Sequence, residues 1–170
     1  MNSFDQNKPT VPYPVNNAFI VLSIVFALLL NSLPWEGIWL MLRPDFVALV
    51  LLYWCMHRPY RIGIGLSWIV GVLADVTDAS LFGQHALAYT VLAFCGVVLS
   101  RRLQMFGLYQ QTAQVLGVFV LTYLVFGLLN WQANGYVTWV YFLGSLSSTL
   151  LWIPISLMFE AMQKRSADRQ

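Results

Sequence analysis

The sequence predicts an all-α membrane protein with six transmembrane helices, and two observations lead to this class. Of its 170 residues, 59% are hydrophobic and only 9% are charged, whereas about a quarter of the residues of a soluble domain are charged. The apolar residues also form continuous runs and do not alternate with polar ones. In lipid such runs are typical of helices, which satisfy their own backbone hydrogen bonds. We therefore expect one compact membrane domain.

Six apolar segments approach the length of about 20 residues that a helix needs to cross a bilayer. They are Val15 to Leu33, Leu42 to Met56, Ile62 to Ala79, Ala86 to Leu99, Ala113 to Trp131 and Val137 to Phe159. The fourth segment reaches this length only when neighbouring residues are added. The sequence therefore predicts a transmembrane domain at 15–160 between two short polar tails, 1–14 and 161–170.

The distribution of basic residues predicts which loops face the cytoplasm. With the N-terminus inside, the inner segments hold eight of the nine Lys and Arg residues, and the outer loops hold only Arg43. Cytoplasmic loops of membrane proteins carry such an excess, so we expect both termini to be cytoplasmic. The segment from Arg101 to Gln114 has two interpretations, a helix lying flat on the inner leaflet or a simple solvated loop.

The second segment is unusually short, because Phe46 to Met56 gives only about 16 Å of helix. It follows Arg43-Pro44-Asp45 and, before that, Trp39 to Leu42. We expect one of these two stretches to be drawn into the membrane. Pro44 suits the first helical position, where its missing amide proton has no cost.

The third segment carries small residues at four-residue spacing on one helical face. They are Gly63, Ser67 and Gly71, and the next position of this face is Asp75. Because small residues let helices approach closely in lipid, we expect this helix to pack centrally with Asp75 facing protein. The alternative is a carboxylate at the membrane interface that is wetted by water.

The position of Asp75 relative to Arg43 suggests a partner for the carboxylate. Arg43 lies sixteen residues before Pro59, and Asp75 lies sixteen residues after it. In an antiparallel helical hairpin that turns at Pro59, the two side chains would lie at similar depth. A charged side chain within the bilayer costs about 2.5 to 3.5 kcal/mol on insertion scales. We therefore expect Arg43 and Asp75 to form a buried ion pair or hydrogen bonds.

Few residues are suited to catalysis, metal binding or nucleic-acid binding. The net charge of +2 is too small to suggest a nucleic-acid partner. We expect His57 at the inner face of the membrane and His85 at the outer face. Because a membrane separates them, they cannot share a metal ion. Asp75 and Asp78 share a helical face, but Asp78 is near the water interface, which argues against a catalytic pair. We expect no cofactor and no enzymatic activity.

Four motifs between Arg43 and about Phe94 resemble those of a known family. They are Arg43-Pro44-x-x-Val47-x-Leu49-x-Leu51-Leu52-Tyr53-Trp54, Pro59-x-Arg61-x-Gly63-x-Gly65, Gly71-x-x-x-Asp75 and Gly83-x-x-x-Leu87-Ala88. In this order and at this spacing they are similar to the MreD family, the rod-shape-determining membrane proteins of bacteria. The version is that of Gram-negative proteobacteria.

The resemblance implies a non-enzymatic role in the bacterial inner membrane. MreD proteins work with MreC, a single-span periplasmic protein, in an elongation complex that builds the lateral cell wall. That complex includes MreB filaments, RodA and a transpeptidase. Whether copies of the chain associate with one another is left open.

The resemblance also implies a fold similar to the six-helix substrate-binding subunits of energy-coupling-factor transporters. A transporter-like subunit that binds a small molecule or lipid is therefore the alternative function. It predicts a closed polar cavity near Asp75, Gln84 and His85.

Seven residues of these motifs are candidates for determining the fold and the partner contacts. They are Arg43, Pro44, Pro59, Arg61, Gly71, Asp75 and Gly83.

Overall fold

The computed structural model describes residues 17–34, 37, 43–78, 83–103, 108–134 and 140–167, which contain helices and no strand. Six helices follow one another: α1 (Asn17–Asn31), α2 (Phe46–His57), α3 (Ile64–Thr77), α4 (Gln84–Leu103), α5 (Leu108–Asn134) and α6 (Val140–Ala167). Each corresponds to one of the six predicted segments, and the all-helical class is therefore confirmed. Trp39 to Leu42, which the sequence suggested as an entry into α2, lies outside the described residues.

The later helices extend beyond the predicted apolar segments. α4 continues to Leu103 and α5 begins at Leu108, so most of the stretch from Arg101 to Gln114 belongs to these two helices. The four residues between the two helices, 104–107, lie outside the described residues. α6 runs through Pro154 to Ala167 and includes most of the predicted polar tail.

The short helix α2 lies at the centre of the bundle. Ten consecutive residues, from Val47 to Met56, are buried, and none of them is more than 7% exposed. α2 packs against α1, α4 and α6. These three helices enclose α2, so this helix of only 12 residues lies inside the bundle.

The prediction that α3 packs centrally was wrong. α3 buries one stripe, Ser67, Val70, Gly71, Ala74 and Asp75, and packs against α4. Its other side exposes large apolar residues, including Leu66, Trp68, Ile69 and Leu73. The stripe of small residues therefore marks one close helix contact and not a central position.

Aromatic rings join α2 to α1 and α6. The indole nitrogen of Trp54 donates to Ser23 Oγ of α1 at 2.9 Å, and the rings of Phe19 and Trp54 meet edge to face. Tyr53 stacks on Phe159 of α6 with ring centroids 4.7 Å apart. These contacts bring the two ends of the chain together around α2.

The exterior of the bundle is apolar, and polar groups lie within it. Leu22 and Phe26 of α1, Leu128 of α5 and Leu150 of α6 are all more than half exposed, whereas Asp75 is only 2% exposed. By length and composition, one helix among the described residues can cross a membrane, α5 over Gln110–Gln132. The apolar stretches of the other helices are shorter.

Candidate functional site

The backbones of α3 and α4 come together at Gly71. A Cβ atom added to Gly71 would lie 2.4 Å from Ala86 Cα and 2.7 Å from Ala86 N. Both atoms belong to the backbone of α4, so they cannot rotate out of the way as a side chain would. The close approach agrees with the packing that the small-residue stripe predicts.

This approach places the buried carboxylate of Asp75 at the start of α4. Asp75 accepts hydrogen bonds from the backbone amides of Gly83 at 2.8 Å, His85 at 2.7 Å and Ala86 at 3.4 Å. The first amides of a helix have no acceptor within it, and they form its positive end. Asp75 therefore caps α4 from a neighbouring helix, and its charge lies where the helix favours an anion.

Gly83 directs its amide to this carboxylate through a backbone conformation that suits glycine. Its φ angle is +97°, in the region that other residues rarely adopt. A Cβ atom at Gly83 would meet nothing within 4 Å. The requirement for glycine here is therefore conformational and does not arise from crowding.

His85 connects the two carboxylates of α3. Its Nδ1 lies 2.9 Å from Asp75 Oδ1, and its Nε2 lies 3.6 Å from Asp78 Oδ2. The imidazole also packs edge to face on Phe126 of α5, with ring centroids 4.8 Å apart. The imidazole therefore links α3, α4 and α5.

Arg43 contacts Asp78 and not the predicted Asp75. Its Nη2 lies 3.5 Å from Asp78 Oδ1, both side chains are about a quarter exposed, and it also donates to the Asn31 carbonyl. The predicted buried pair with Asp75 was wrong because residues 43–45 are not helical. Extended residues rise about 3.3 Å each, against 1.5 Å in a helix. Three of them raise Arg43 by about 5 Å, roughly the distance along α3 from Asp75 to Asp78.

Asp45 begins α2, and Pro44 lies one residue before this cap. The Asp45 side chain accepts from the Ala48 amide at 3.0 Å, as an N-cap does. The prediction that Pro44 occupies the first helical position was therefore wrong, because Asp45 supplies the cap and Phe46 is the first helical residue.

Asp45 also joins α2 to three other helices, through its carboxylate and its backbone amide. It accepts from the Tyr89 hydroxyl of α4 at 2.8 Å and from Asn31 Nδ2 of α1 at 3.1 Å. The Asp45 amide donates to Ser148 Oγ of α6 at 3.1 Å. We name the residues that meet at this end of the bundle the polar network: Asn31, Arg43, Asp45, Asp75, Asp78, His85, Tyr89 and Ser148.

Pro59 and Arg61 lie at the opposite ends of α2 and α3. The Arg61 amide donates to the Arg58 carbonyl at 3.0 Å, which closes a turn with Pro59 and Tyr60 at its two central positions. Arg61 also donates to Asn17 Oδ1 at the start of α1. Burial lowers the pKa of Arg58, and repulsion from Arg61 lowers it further. The candidate residues therefore divide between the two ends of the bundle.

The polar network is suited to holding helices together more than to chemistry. Its carboxylates accept from backbone amides, a hydroxyl and an imidazole of neighbouring elements. Gln84, which was expected to line a cavity with Asp75 and His85, donates to the Phe126 carbonyl at 3.5 Å. Among the residues that the structure describes, no group of three or more His, Cys, Asp or Glu side chains could hold a metal ion.

The family model described as rod shape-determining protein MreD matches residues 14–162. The chain belongs to the MreD family. A rod shape-determining protein MreD of Haemophilus influenzae is 30% identical to this MreD chain over 151 residues, which cover 86% of the chain and 92% of the relative. The resemblance found in the sequence is confirmed, and membership of the MreD family supports a role in determining rod shape.

No solved structure matches the MreD chain. The fold similarity to the substrate-binding subunits of energy-coupling-factor transporters therefore stays a prediction.

Proposed function

We propose that the chain is a non-enzymatic membrane scaffold of the cell-elongation complex, which binds an MreC-like single-span protein and helps to position peptidoglycan synthesis. MreB, RodA and the elongation transpeptidase are the further partners that this role implies. The observation that carries the proposal is the polar network. Its carboxylates bond to groups of neighbouring helices, and this arrangement fixes the bundle without presenting a reaction centre.

A fixed bundle with an apolar exterior suits the docking of another membrane helix. Lipid tails are as apolar as the helices, so the hydrophobic effect does not drive transmembrane helices together. They associate through close packing instead. α3 is held against α4 along one stripe and exposes Leu66, Trp68, Ile69 and Leu73 on its other side. This apolar and aromatic face of α3 is suited to packing against a transmembrane helix of a partner.

The proposed location is the bacterial inner membrane, with six spans and both termini in the cytoplasm. The apolar exterior and the distribution of Lys and Arg residues support this arrangement. α2 is too short to cross lipid alone, but α1, α4 and α6 enclose it. A helix enclosed by protein need not match the thickness of the hydrocarbon core.

Co-purification tests the proposed partner. The chain is expressed with a tagged MreC-like protein at native levels and extracted in mild detergent, and we expect the two to remain associated. Replacing Trp68 and Leu73 by Ala should weaken the association, whereas the same change at Leu128 and Leu150, exposed on other helices, should not. A folded chain that never retains the partner would contradict the scaffold role.

The transporter-like alternative has less support from the contacts of the polar network. Asp75 and His85 bond to each other, and Gln84 bonds to α5. A small molecule or lipid that co-purifies in a one-to-one ratio and protects the chain from thermal unfolding would favour this alternative. Native mass spectrometry of the purified chain would detect such a molecule.

A further inference from the structure

The exposed side of α3 is shorter than a bilayer is thick. α3 has 14 residues, which give about 21 Å of helix, whereas the hydrocarbon core of a bilayer measures about 30 Å. Its exposed apolar side chains lie between Ile64 and Val76 and include Trp68 and Ile69, which are 50% and 56% exposed. Tilting cannot correct the difference of about 9 Å, because a tilted helix spans less of the bilayer than an upright one.

Polar groups mark the membrane surface at both ends of α3. The helix ends at Thr77, and the ion pair between Asp78 and Arg43 follows it, with both side chains about a quarter exposed. A charged side chain is costly within the hydrocarbon core, so this end belongs at the surface. At the other end, residues 58–63 are not helical, and Tyr60 is 97% exposed. Exposed non-helical backbone does not occur within the hydrocarbon core, so this end belongs at the surface too.

α1 ends at the same two levels as α3. Arg61, which precedes α3, donates to Asn17 Oδ1 at the start of α1, and Arg43 donates to the Asn31 carbonyl at its end. An arginine that reached further toward the surface would lose this contact with α1. α1 has 15 residues, or about 22 Å of helix, and its Leu22 is 66% exposed. Two helices with apolar exteriors therefore share one short span.

α5 presents the opposite condition. Its apolar stretch, Gln110–Gln132, has 23 residues, which is about 35 Å of helix. Leu121 and Leu128 in this stretch are 42% and 60% exposed. α4 packs against both α3 and α5. The apolar exterior is therefore shorter than the hydrocarbon core at α1 and α3 and longer than it at α5.

We propose that the side of the bundle formed by α1 and α3 thins the bilayer beside it and prefers phospholipids with short acyl chains. A bilayer thins to meet a membrane-facing segment that is too short, and short chains form the thinner layer that this side needs. A partner helix that covered α3 would displace the compressed lipid, so the mismatch also favours docking at this face. The inference rests on the proposed membrane location, and it does not require the MreC-like partner.

Quenching of tryptophan fluorescence by brominated lipids tests the preference at chosen positions. The full-length chain is reconstituted in phosphatidylcholine vesicles that contain brominated lipid with myristoleoyl (short), oleoyl or erucoyl (long) chains. Bromine quenches a tryptophan that it contacts, so the quenching gives the relative affinity of each position for each chain length. Trp54 and Trp152, which are 0% and 1% exposed, remain in every variant as a constant background.

Two matched variants place the reporter on the two sides of the bundle. In both, four tryptophans are replaced by phenylalanine: Trp35, Trp39, Trp131 and Trp139. The first variant keeps Trp68 of α3 as its reporter. The second adds Trp68→Phe and Leu121→Trp, which moves the reporter to α5. Leu124, which is 44% exposed, takes the place of Leu121 if thermal unfolding shows that the second variant is not folded.

We expect Trp68 to favour myristoleoyl over erucoyl lipid by about twofold or more, and the reporter on α5 to favour the longer chains. The same order of chain lengths at both positions, or a preference of Trp68 for erucoyl lipid, would overturn the proposal and leave the membrane location and the scaffold role intact. No quenching at either position by any of the lipids would overturn the proposal together with the membrane location.

Discussion

Asp75 shows at the scale of one residue how backbone amides stabilise a buried carboxylate. The backbone amides of Gly83, His85 and Ala86 supply hydrogen bonds and a positive helix end. Burial of the carboxylate therefore requires that α3 and α4 remain in register at this point.

We expect Asp75→Asn to destabilise the chain by about 2 to 3 kcal/mol, because the amide group places hydrogen-bond donors against the donors of α4. The matched change Asp78→Asn, three residues further along α3, should cost less than about 1 kcal/mol, since its ion pair with Arg43 is partly exposed. Thermal unfolding in detergent measures both. Equal effects of the two changes would contradict the cap.

Three glycines of the same hairpin should respond differently to alanine. Gly71→Ala should cost several kcal/mol, because its Cβ would overlap the backbone of Ala86. Gly83→Ala should cost about 1 to 2 kcal/mol, from its positive φ alone. Gly65→Ala, where a helical position has open space, should be neutral or stabilise by up to about 1 kcal/mol.

The stability of the three variants is compared by thermal unfolding at equal expression. A loss for Gly65→Ala as large as that for Gly71→Ala would indicate that any added methyl group is harmful, and would remove the special role of the contact with α4.

The sequence predicted part of the polar network, and physical reasons explain why it did not predict the rest. The stripe that includes Gly71 indicated that Asp75 faces protein, as it does. Its acceptor role was not visible because its partners are backbone amides, which no residue type reveals. Asp45 carried a signal, since an aspartate before an apolar run is a good N-cap. Tyr89 and Ser148 carried none, because they reach Asp45 only through the packing of α4 and α6.

At the scale of the element, α2 shows why sequence could locate the helices and not rank them by burial. In water an apolar face marks the side that faces the core. In lipid the exterior is apolar too, so the apolar runs of α1 and α2 look alike although only α2 is enclosed. The remaining signal was the short length of α2, which fits a helix surrounded by protein.

Substitutions of leucine should separate these two helices. Leu51 of α2 is 0% exposed, and Leu22 of α1 is 66% exposed. We expect Leu51→Ala to destabilise the chain by about 2 to 5 kcal/mol, because it leaves a cavity in the core, and Leu22→Ala to have little effect on thermal unfolding. Similar losses for both would indicate that α1 is covered to the same extent as α2.

A double-mutant cycle should reveal the link between α2 and α4. Asp45→Ala removes the acceptor and Tyr89→Phe removes the donor of the hydrogen bond at 2.8 Å. A hydrogen bond to a charged group contributes about 1.5 to 3 kcal/mol, so we expect a coupling energy of that order. Strictly additive effects of the two changes would show that Tyr89 does not bond to Asp45.

At the scale of the whole molecule, the polar network and the turn from Arg58 to Arg61 lie at opposite ends of α2 and α3. The bundle therefore has one end held by carboxylates and another that carries adjacent positive charges. The proposed topology assigns the first end to the periplasm and the second to the cytoplasm.

A single cysteine tests this assignment. The native residues Cys55 and Cys95 are replaced by alanine. Tyr60, which is 97% exposed, is replaced by cysteine (Tyr60→Cys). A membrane-impermeant maleimide should label this cysteine in inside-out vesicles and leave it unlabelled in intact spheroplasts. The reverse pattern would place the turn in the periplasm and would contradict the proposed orientation.

The cap that Asp75 provides to α4 has a consequence for biosynthesis. Asp75 and the amides that it accepts from are at most eleven positions apart in the chain, and a ribosome adds about 5 to 20 residues each second. These donors are therefore translated within about 0.5 to 2 seconds of Asp75. α3 and α4 can thus leave the translocon as a pair, with the charge already matched before either helix meets lipid by itself.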